Sequence, residues 1–262
     1  MQLQHVRLEF DGAVAVLTLD HQEVMNAISS PMLASLMEAL DLIEAKRDEV
    51  RCVVFTGAGK AFCAGANLQG RVRPRDGMSA GKTLDTEYHP FLRRLRRVHC
   101  PIVTAVNGPA AGGGMSFALM GDYVLCARST YFLQAFRRIG LVPDCGSTWL
   151  LPRLIGKARS VELSLLGEKL PAEKALAWGL INRVHDDAVL MDEAMKLAHE
   201  LANGPTIALS LIRKLYWDSS EQTFEEQLNH EFESQRYAGA SEDFKEGVTA
   251  FLEKRPAKFK GK

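Results

Sequence analysis

A segment rich in glycine and alanine stands in the middle of the chain, between two apolar stretches. It covers residues 107–114, NGPAAGGG. Such residues leave backbone N–H groups bare, and at the start of a helix these groups lack intrahelical acceptors. Bare N–H groups of this kind can hold a phosphate or an oxyanion. The other interpretation is a flexible loop, or glycines that only permit close helix packing.

Two further segments carry residues that could do chemistry. Residues 57–68, GAGKAFCAGANL, form a second turn poor in side chains, and they fit neither the G-x-G-x-x-G nor the P-loop pattern. Asp144 stands in the turn PDCG, near Leu141, Val142 and Trp149. A carboxylate in apolar surroundings can have a raised pKa and act first as a base and then as an acid. Alternatively, Asp144 caps the helix that follows it.

The elements around these turns predict a parallel sheet. Residues 102–106 and 51–57 are apolar, β-branched runs typical of buried strands, and residues 115–120 indicate a buried helix. Residues 6–20 alternate around Asp-Gly, which predicts a hairpin. A serine followed by Pro31 starts a helix before the next strand. Strand, helix and strand in this order favour a crossover unit.

The chain changes character after about residue 150, where it is predicted to be almost entirely helical. The predicted helices cover residues 158–166, 171–178, 189–202, 205–217, 223–237 and 241–251. Residues 70–86 are polar and aperiodic and predict a mobile surface loop. Arg71, Arg73, Arg75 and Lys82 make that loop basic, for solvation or for contact with ligand phosphates. The basic end, residues 254–262, is expected to be solvated.

Composition excludes several functional classes. Lys and Arg number 32 against 32 Asp and Glu, so no global charge favours nucleic acid. No run approaches the about 20 apolar residues that span a bilayer, so no membrane partner is expected. The five cysteines contain no C-x-x-C pair and predict reduced core thiols of a cytoplasmic protein. No H-x-x-x-H spacing occurs, and no metal is expected.

Four motifs together resemble the crotonase (enoyl-CoA hydratase/isomerase) superfamily. They are residues 62–68 (FCAGANL), 105–114 (AVNGPAAGGG), 140–146 (GLVPDCG) and 251–255 (FLEKR). The resemblance covers essentially the whole chain, and the motifs together are far more specific than one glycine-rich turn.

The resemblance implies an α/β fold, a crotonase-like spiral of β-β-α units in two sheets. It implies a core over residues 1–200 and a C-terminal helical region over residues 201–262 that forms a homotrimer, with two trimers commonly pairing into a hexamer. It also implies an acyl-CoA thioester as substrate, with no cofactor beyond the coenzyme A that the substrate carries.

The site residues follow from the same resemblance. The two N–H groups that hold the thioester oxygen fall at Ala66 and Gly113, and losing one such donor costs about 3 kcal/mol. The path for adenine and pantetheine is expected along Val24, Met25, Ala27, Ala64, Gly65, Asn67 and Leu68. Phe259, in the basic tail, is expected to reach the coenzyme A phosphates of a neighbouring subunit.

The chain departs from the family pattern where hydratases carry two glutamates. Ser116 and Phe136 stand at those positions, and neither supplies a base for water. Asn67 and the small Ser116 leave room for a bulky or cyclic acyl group. Asp144 then remains as acid and base, as in members that shift double bonds. Residues 140–152 resemble in particular the members that isomerise ring-epoxide phenylacetyl-CoA. Open alternatives are a hydratase without the glutamate pair, a thioesterase-like or decarboxylase-like relative, and a non-catalytic acyl-CoA-binding relative.

Overall fold

Ten strands form two sheets in this computed structural model, which describes residues 1–68 and 80–262. The strands are β1 (Gln2–Leu3), β2 (Val6–Asp11), β3 (Val14–Leu19), β4 (Cys52–Gly57), β5 (Ile102–Val106), β6 (Ala110–Ala111), β7 (Tyr123–Ala127), β8 (Tyr131–Leu133), β9 (Lys169–Pro171) and β10 (Arg183–His185). The large sheet has the order β1-β2-β3-β4-β5-β7-β10, and the small sheet has the order β6-β8-β9. The predicted α/β architecture of two sheets is confirmed.

Helices surround the sheets. They are α1 (Ser30–Ala45), α2 (Ala80–Thr83), α3 (His89–Arg96), α4 (Gly113–Ala118), α5 (Ser147–Leu166), α6 (Ala172–Trp178), α7 (Leu190–Ala202), α8 (Thr206–Ser219), α9 (Phe224–Ala238) and α10 (Glu242–Leu252). A π-helical segment, Leu84–Tyr88, joins α2 to α3. Within the described ranges, no helix combines the length and the apolar character needed to cross a membrane.

The N-terminal half folds as its sequence pattern predicts. Strands β2 and β3 form an antiparallel hairpin in which Asp11 pairs with Val14. Ser29 caps α1, and its hydroxyl accepts the N–H of Met32 at 3.4 Å. Strand β4 then pairs in parallel with β3 and β5, and β5 pairs in parallel with β7. The hairpin and the crossover unit are both confirmed.

The large sheet is buried on both faces, as parallel sheets usually are. All six residues of β4 are buried. One face packs under α1, α3, α4 and α5, with Phe55, Phe62 and Phe117 in that core. The other face packs against the stripe of small and apolar side chains on α7, from Leu190 to Ala202. The two layers fix the ends of β4 and β5, from which the glycine-rich turns leave the sheet.

The second half of the chain is less uniformly helical than predicted. Strands β9 and β10 lie in the region predicted to be almost all helix, and that prediction is wrong for them. Strand β10 pairs in parallel with β7 and completes the large sheet. Each of these strands has only three residues, and of the six positions only Leu170 is buried. Neither strand is therefore long enough to show a repeating pattern of apolar residues in the sequence. Helix α5 begins at Ser147, directly after the turn that carries Asp144, and is kinked at Gly156, whose φ is 77°.

The polar segment predicted as a loop is helical where the structure describes it. Residues 80–86 belong to α2 and to the π-helical segment, so a loop extending to residue 86 is wrong. Lys82 is exposed on α2. Residues 70–79, with Arg71, Arg73 and Arg75, lie outside the described residues, and the basic loop stays a prediction there.

A buried arginine ties α8 to the sheet and to α3. Arg213 donates to Asp122 Oδ2 at 2.5 Å and to the carbonyl oxygens of Leu95, Arg96 and Val98. The Arg213 guanidinium therefore forms an ion pair with a carboxylate that follows α4. It also donates hydrogen bonds to carbonyl oxygens at the end of α3, because the last carbonyls of a helix lack donors within the helix.

The C-terminal tail is bound to the same chain rather than free in solvent. The Asp243 carboxylate accepts the backbone N–H groups of Lys260 at 2.6 Å and Gly261 at 2.8 Å. Arg51, just before β4, donates to the carbonyl oxygen of Phe259 at 3.2 Å. The expectation of a solvated end is thus wrong for the backbone of the tail, although the lysine side chains are exposed.

Candidate functional site

The two side-chain-poor turns lie side by side beyond the carboxyl ends of β4 and β5. Cys63 and Ala110 form a parallel bridge between them. The Cys63 N–H donates to the Pro109 carbonyl at 3.2 Å, and the Ala111 N–H donates to the Cys63 carbonyl at 2.9 Å. The turns act as one surface, because backbone hydrogen bonds connect them directly.

The three consecutive glycines have three different roles. Gly112 has φ 52° and ψ −127°, a conformation that favours glycine. A side chain on Gly114 would place its Cβ 2.7 Å from both Cβ and Sγ of Cys63, so this glycine permits close packing. Gly113 borders the space around Asp144, and its own Cβ position is 3.7 Å from Asp144 Oδ1. The packing interpretation therefore holds for Gly114 but not for the whole run.

Two backbone N–H groups of this surface make no hydrogen bond to the residues that the structure describes. They are the N–H groups of Ala66 and Gly113. Backbone donors are nearly always paired in folded proteins, and unpaired ones are concentrated where a ligand binds. The two turns also touch here, since a Cβ on Gly112 would lie 4.0 Å from the Cα of Gly65. The structure therefore brings the two predicted donor segments together.

The segment after β3 runs alongside the first turn, as expected for a shared binding path. The Ala64 N–H donates to the Met25 carbonyl at 3.0 Å, and the Ile28 N–H donates to the Gly65 carbonyl at 2.7 Å. The Asn67 N–H donates to the Ile28 carbonyl at 2.8 Å. The predicted path residues therefore lie on two adjacent backbones. Those with exposed or half-buried positions are Val24, Met25, Ala64, Asn67 and Leu68, whereas Ala27 and Gly65 are buried.

A buried asparagine within the first predicted path segment, residues 24–27, fixes that segment to the turn after β4. Asn26 is fully buried and has a left-handed φ of 55°. Its side-chain amide donates to the carbonyls of Ala58 at 2.9 Å and Ala61 at 2.8 Å, and its oxygen accepts the His21 N–H at 2.8 Å. Asparagine tolerates this backbone region better than most residues do. The sequence signal was weak, because both amide partners lie more than 30 residues away.

Asp144 is half-buried opposite Gly113 and keeps one carboxylate oxygen free. Oδ1 is shielded from solvent and has no hydrogen-bond partner among the described residues. Burial raises the pKa of Asp144 above the usual aspartate range, while the Cys145 thiol and the His89 imidazole oppose that rise. The interpretation of Asp144 as a helix cap is wrong, because Gly146 occupies the N-cap of α5 and no side chain caps that helix. The carboxylate is therefore available to a ligand.

The two positions that lack glutamate line the same region. Ser116 is 0% exposed, and its hydroxyl lies 2.6 Å from the Ser147 hydroxyl at the start of α5. Phe136 is also buried, and its ring approaches within 3.7 Å of the Cβ position of Gly112. Neither side chain offers a proton acceptor with the strength of a carboxylate.

Phe259 does not join this group within one chain. It lies beside Gly247 of α10, and its carbonyl is bound by Arg51, which precedes β4. Ala66 follows the other end of β4, and six residues of strand span about 20 Å. The predicted contact of Phe259 with a neighbouring subunit stays a prediction.

The other titratable side chains of residues 1–68 and 80–262 do not suggest another site. All five cysteines are free and buried, as the sequence predicted. Within the described part of the chain, no group of three or more His, Cys, Asp or Glu side chains could hold a metal ion.

Comparisons with known proteins show to which family the chain is similar. Residues 9–262 match the family described as Enoyl-CoA hydratase/isomerase. The chain is 45% identical to 1,2-epoxyphenylacetyl-CoA isomerase of Escherichia coli (strain K12), over 99% of this chain and 98% of the relative. It is 41% identical to a probable enoyl-CoA hydratase of Rhodobacter capsulatus, over 100% of both chains. A crystal structure of an enoyl-CoA hydratase/isomerase from Cupriavidus metallidurans CH34 superimposes with a TM-score of 0.93 at 28% identity, covering 100% of this chain and 98% of that chain.

Proposed function

Because this chain belongs to the enoyl-CoA hydratase/isomerase family, we propose that it isomerises an acyl-CoA thioester with Asp144 as acid and base. One observation carries the proposal. The unpaired Oδ1 of Asp144 lies 3.7 Å from the Cβ position of Gly113, whose N–H has no acceptor among the described residues. A base and the residue that carries an unpaired N–H donor are therefore neighbours, as enolate chemistry requires.

The reaction follows from the charges that these groups stabilise. The thioester oxygen accepts the N–H groups of Ala66 and Gly113, and negative charge on that oxygen strengthens both hydrogen bonds. The Asp144 carboxylate removes a proton from C2 of a 3-enoyl-CoA, and the electrons move into a dienolate. The same carboxyl group returns the proton at C4, so no proton is gained or lost overall. A pKa raised by burial suits a group that must both accept and donate.

The residues at the two missing glutamate positions support isomerisation over hydration. Ser116 is buried and bonded to Ser147, so its hydroxyl is not free to activate water. Phe136 places an aromatic ring against Gly112. Water addition needs a positioned base, and Asp144 would have to act alone.

The acyl group is proposed to be bulky or cyclic. The 45% identical relative from Escherichia coli (strain K12) is a 1,2-epoxyphenylacetyl-CoA isomerase. The residues around Asp144 that suggest a similar substrate are the apolar Leu141, Val142 and Trp149. We include ring-epoxide phenylacetyl-CoA among the candidate substrates together with linear 3-enoyl-CoA thioesters.

An acyl-CoA panel tests this function. Purified protein is incubated with 3-enoyl-CoA, crotonyl-CoA and ring-epoxide phenylacetyl-CoA, and products are separated by liquid chromatography with mass detection. Isomerisation leaves the mass unchanged, whereas hydration adds one water. The proposal expects products of unchanged mass. Hydration of crotonyl-CoA as the fastest reaction would favour the hydratase alternative, and tight binding without turnover would favour a non-catalytic acyl-CoA-binding protein.

We also propose that residues 201–262 form a subunit interface of a homotrimer or hexamer. Large apolar side chains are exposed on α8 and α10, among them Tyr216 at 80% and Phe251 at 82%. A largely apolar groove of about 610 Å³, which includes Ile212 and Tyr216, lies between α5 and α8. Exposed apolar area of this kind is characteristic of interfaces. In such an assembly, the tail with Phe259 would lie near the coenzyme A path of a neighbour.

A further inference from the structure

A buried polar cluster lies directly beneath the turn that carries Asp144. It consists of Gln134, Ser116 and Ser147, whose exposures are 1%, 0% and 1%. The three residues come from the segment after β8, from α4 and from the start of α5. Buried polar side chains are costly unless they are bonded, so a cluster of three indicates a specific role.

Both serine hydroxyls of this cluster reach the backbone of Asp144. Ser147 Oγ donates to the Asp144 carbonyl at 2.9 Å, and Ser116 Oγ lies within donating distance of the same carbonyl at 3.3 Å. The two hydroxyl oxygens are 2.6 Å apart, and either can be the donor of the bond between them. The Gln134 amide donates to Ser147 Oγ at 3.4 Å.

The turn held by this cluster has an unfavourable backbone. Cys145 has a φ of 52°, which residues other than glycine rarely adopt, and Gly146 follows with a φ of 82°. Such a conformation persists only when surrounding contacts determine it. The Ser147 N–H and hydroxyl both bond to the Asp144 carbonyl, at 3.0 Å and 2.9 Å, and close the turn.

The cluster binds the carbonyl of Asp144 and leaves its carboxylate oxygen free. Ser116 Oγ also lies 3.3 Å from that carbonyl, whereas Oδ1 has no partner among the described residues and faces Gly113. We propose that Ser147, supported by Ser116 and Gln134, is a positioning residue that orients the Asp144 carboxylate towards the oxyanion donors. This inference rests on the proposed function, in which Asp144 is the acid and base.

In this arrangement Ser116 helps to hold the turn that carries Asp144, in addition to lacking the carboxylate of a catalytic group. At this position a small, buried hydroxyl completes the support of the Asp144 carbonyl. Ser116 acts through Ser147 and does not need to touch the substrate.

The test compares Ser147→Ala and Ser116→Ala with a matched control, Ser160→Ala. Ser160 is a buried serine of the same helix, and its hydroxyl donates to the Gly156 carbonyl at 2.7 Å, away from Asp144. We expect Ser147→Ala to lower kcat roughly 10-fold to 100-fold, the range for a misplaced reacting group, with KM within about threefold. Ser116→Ala should lower kcat less, and Ser160→Ala should leave both constants unchanged.

The pH profile gives a readout that a purely structural role would not change. Cys145 and His89 are the titratable groups that influence Asp144. A loosened turn would let water reach the carboxylate and lower its pKa, so the acid limb of kcat/KM should move to lower pH in Ser147→Ala. In Ser160→Ala the limb should stay in place.

The results separate this proposal from the proposed function. Asp144→Asn is assayed in parallel, and retained isomerisation in that variant overturns the function itself. If Asp144→Asn is inactive while folded Ser147→Ala and Ser116→Ala match Ser160→Ala in kcat and pH profile, only the positioning role is overturned. Circular dichroism and thermal melting establish whether each variant is folded. If Ser147→Ala does not fold, the kcat and the pH profile of Ser116→Ala alone test the positioning role.

Discussion

Gly113 offers the sharpest steric test of the site, because it can be enlarged with little effect on the fold. The Cβ of Gly113→Ala would lie 3.3 Å from Cys145 Sγ, 3.5 Å from Ile28 Cδ1 and 3.7 Å from Asp144 Oδ1. Only the contact with the sulfur requires a shift of a few tenths of an ångström. Alanine is also better than glycine in a helix by about 0.5–1 kcal/mol. The free energy of unfolding should therefore change by no more than about 1 kcal/mol.

The same methyl group should strongly reduce turnover. A reacting carbon has to approach Oδ1 to about 3–3.5 Å. The new methyl would lie 3.7 Å from that oxygen and would therefore compete with the substrate carbon for nearly the same space. A displacement of about 1 Å costs roughly 100-fold, which corresponds to about 2.7 kcal/mol of transition-state stabilisation. We expect kcat/KM for 3-enoyl-CoA to fall by about that factor.

Turnover is measured as the increase in ultraviolet absorbance when the double bond becomes conjugated with the thioester. The free energy of unfolding is measured by urea denaturation. Gly114→Ala is the control, because its methyl would clash with the backbone carbonyl oxygen, Cβ and Sγ of Cys63, and Asp144 is not among the atoms nearest to it. Overpacking of that kind should lower stability by about 1–3 kcal/mol. A folded Gly113→Ala protein with turnover within threefold of the parent would refute the placement of the reacting carbon between Gly113 and Asp144.

Three further predictions concern pH, stability and assembly. Asp144 must be ionised to act as a base, and burial raises its pKa. As the pH is lowered, kcat/KM should therefore begin to fall at a higher pH than it would for an ordinary aspartate, whose pKa is about 4. A kcat/KM that stays constant down to a pH of about 4 would contradict this. Arg213→Met should lower the free energy of unfolding in urea by about 3 kcal/mol, since Asp122 loses its partner, and adding Asp122→Asn should recover part of the loss. Phe251→Asp should shift the protein from trimer or hexamer to monomer in sedimentation velocity with unchanged helicity, whereas an unchanged mass would place the interface elsewhere.

The sequence predicts the parts of the fold that depend on local signals. The hairpin has a regular alternation and an Asp-Gly turn, and α1 has a serine cap with proline in its first turn. These features are decided within a few residues. The short strands β9 and β10 carry no such period, and β10 is defined by pairing with β7, more than 50 residues earlier. The π-helical segment likewise depends on packing of Tyr88 and its neighbours against other elements.

For the site, the sequence indicates the residues proposed to react but not the side chains that hold them in place. Ala66, Gly113 and Asp144 stand in recognisable motifs, and the structure places all three turns around one region. Asn26 and Ser147 are ordinary polar residues in the sequence. Their roles come from hydrogen bonds to backbone carbonyls in a strained turn or a distant loop, which no spacing rule reveals. The helix-cap interpretation of Asp144 failed for the same reason, since the left-handed Gly146 takes the N-cap.

The most direct test of the central claim is the isomerisation rate of Asp144→Asn on 3-enoyl-CoA, measured together with its affinity for the acyl-CoA product. Asparagine keeps the shape of the side chain but cannot accept a proton at the required strength. We predict a loss of roughly 1,000-fold in kcat with binding unchanged within about threefold, as for removal of a general acid and base. Turnover within about tenfold of the parent would show that another group moves the proton and would contradict the role assigned to Asp144.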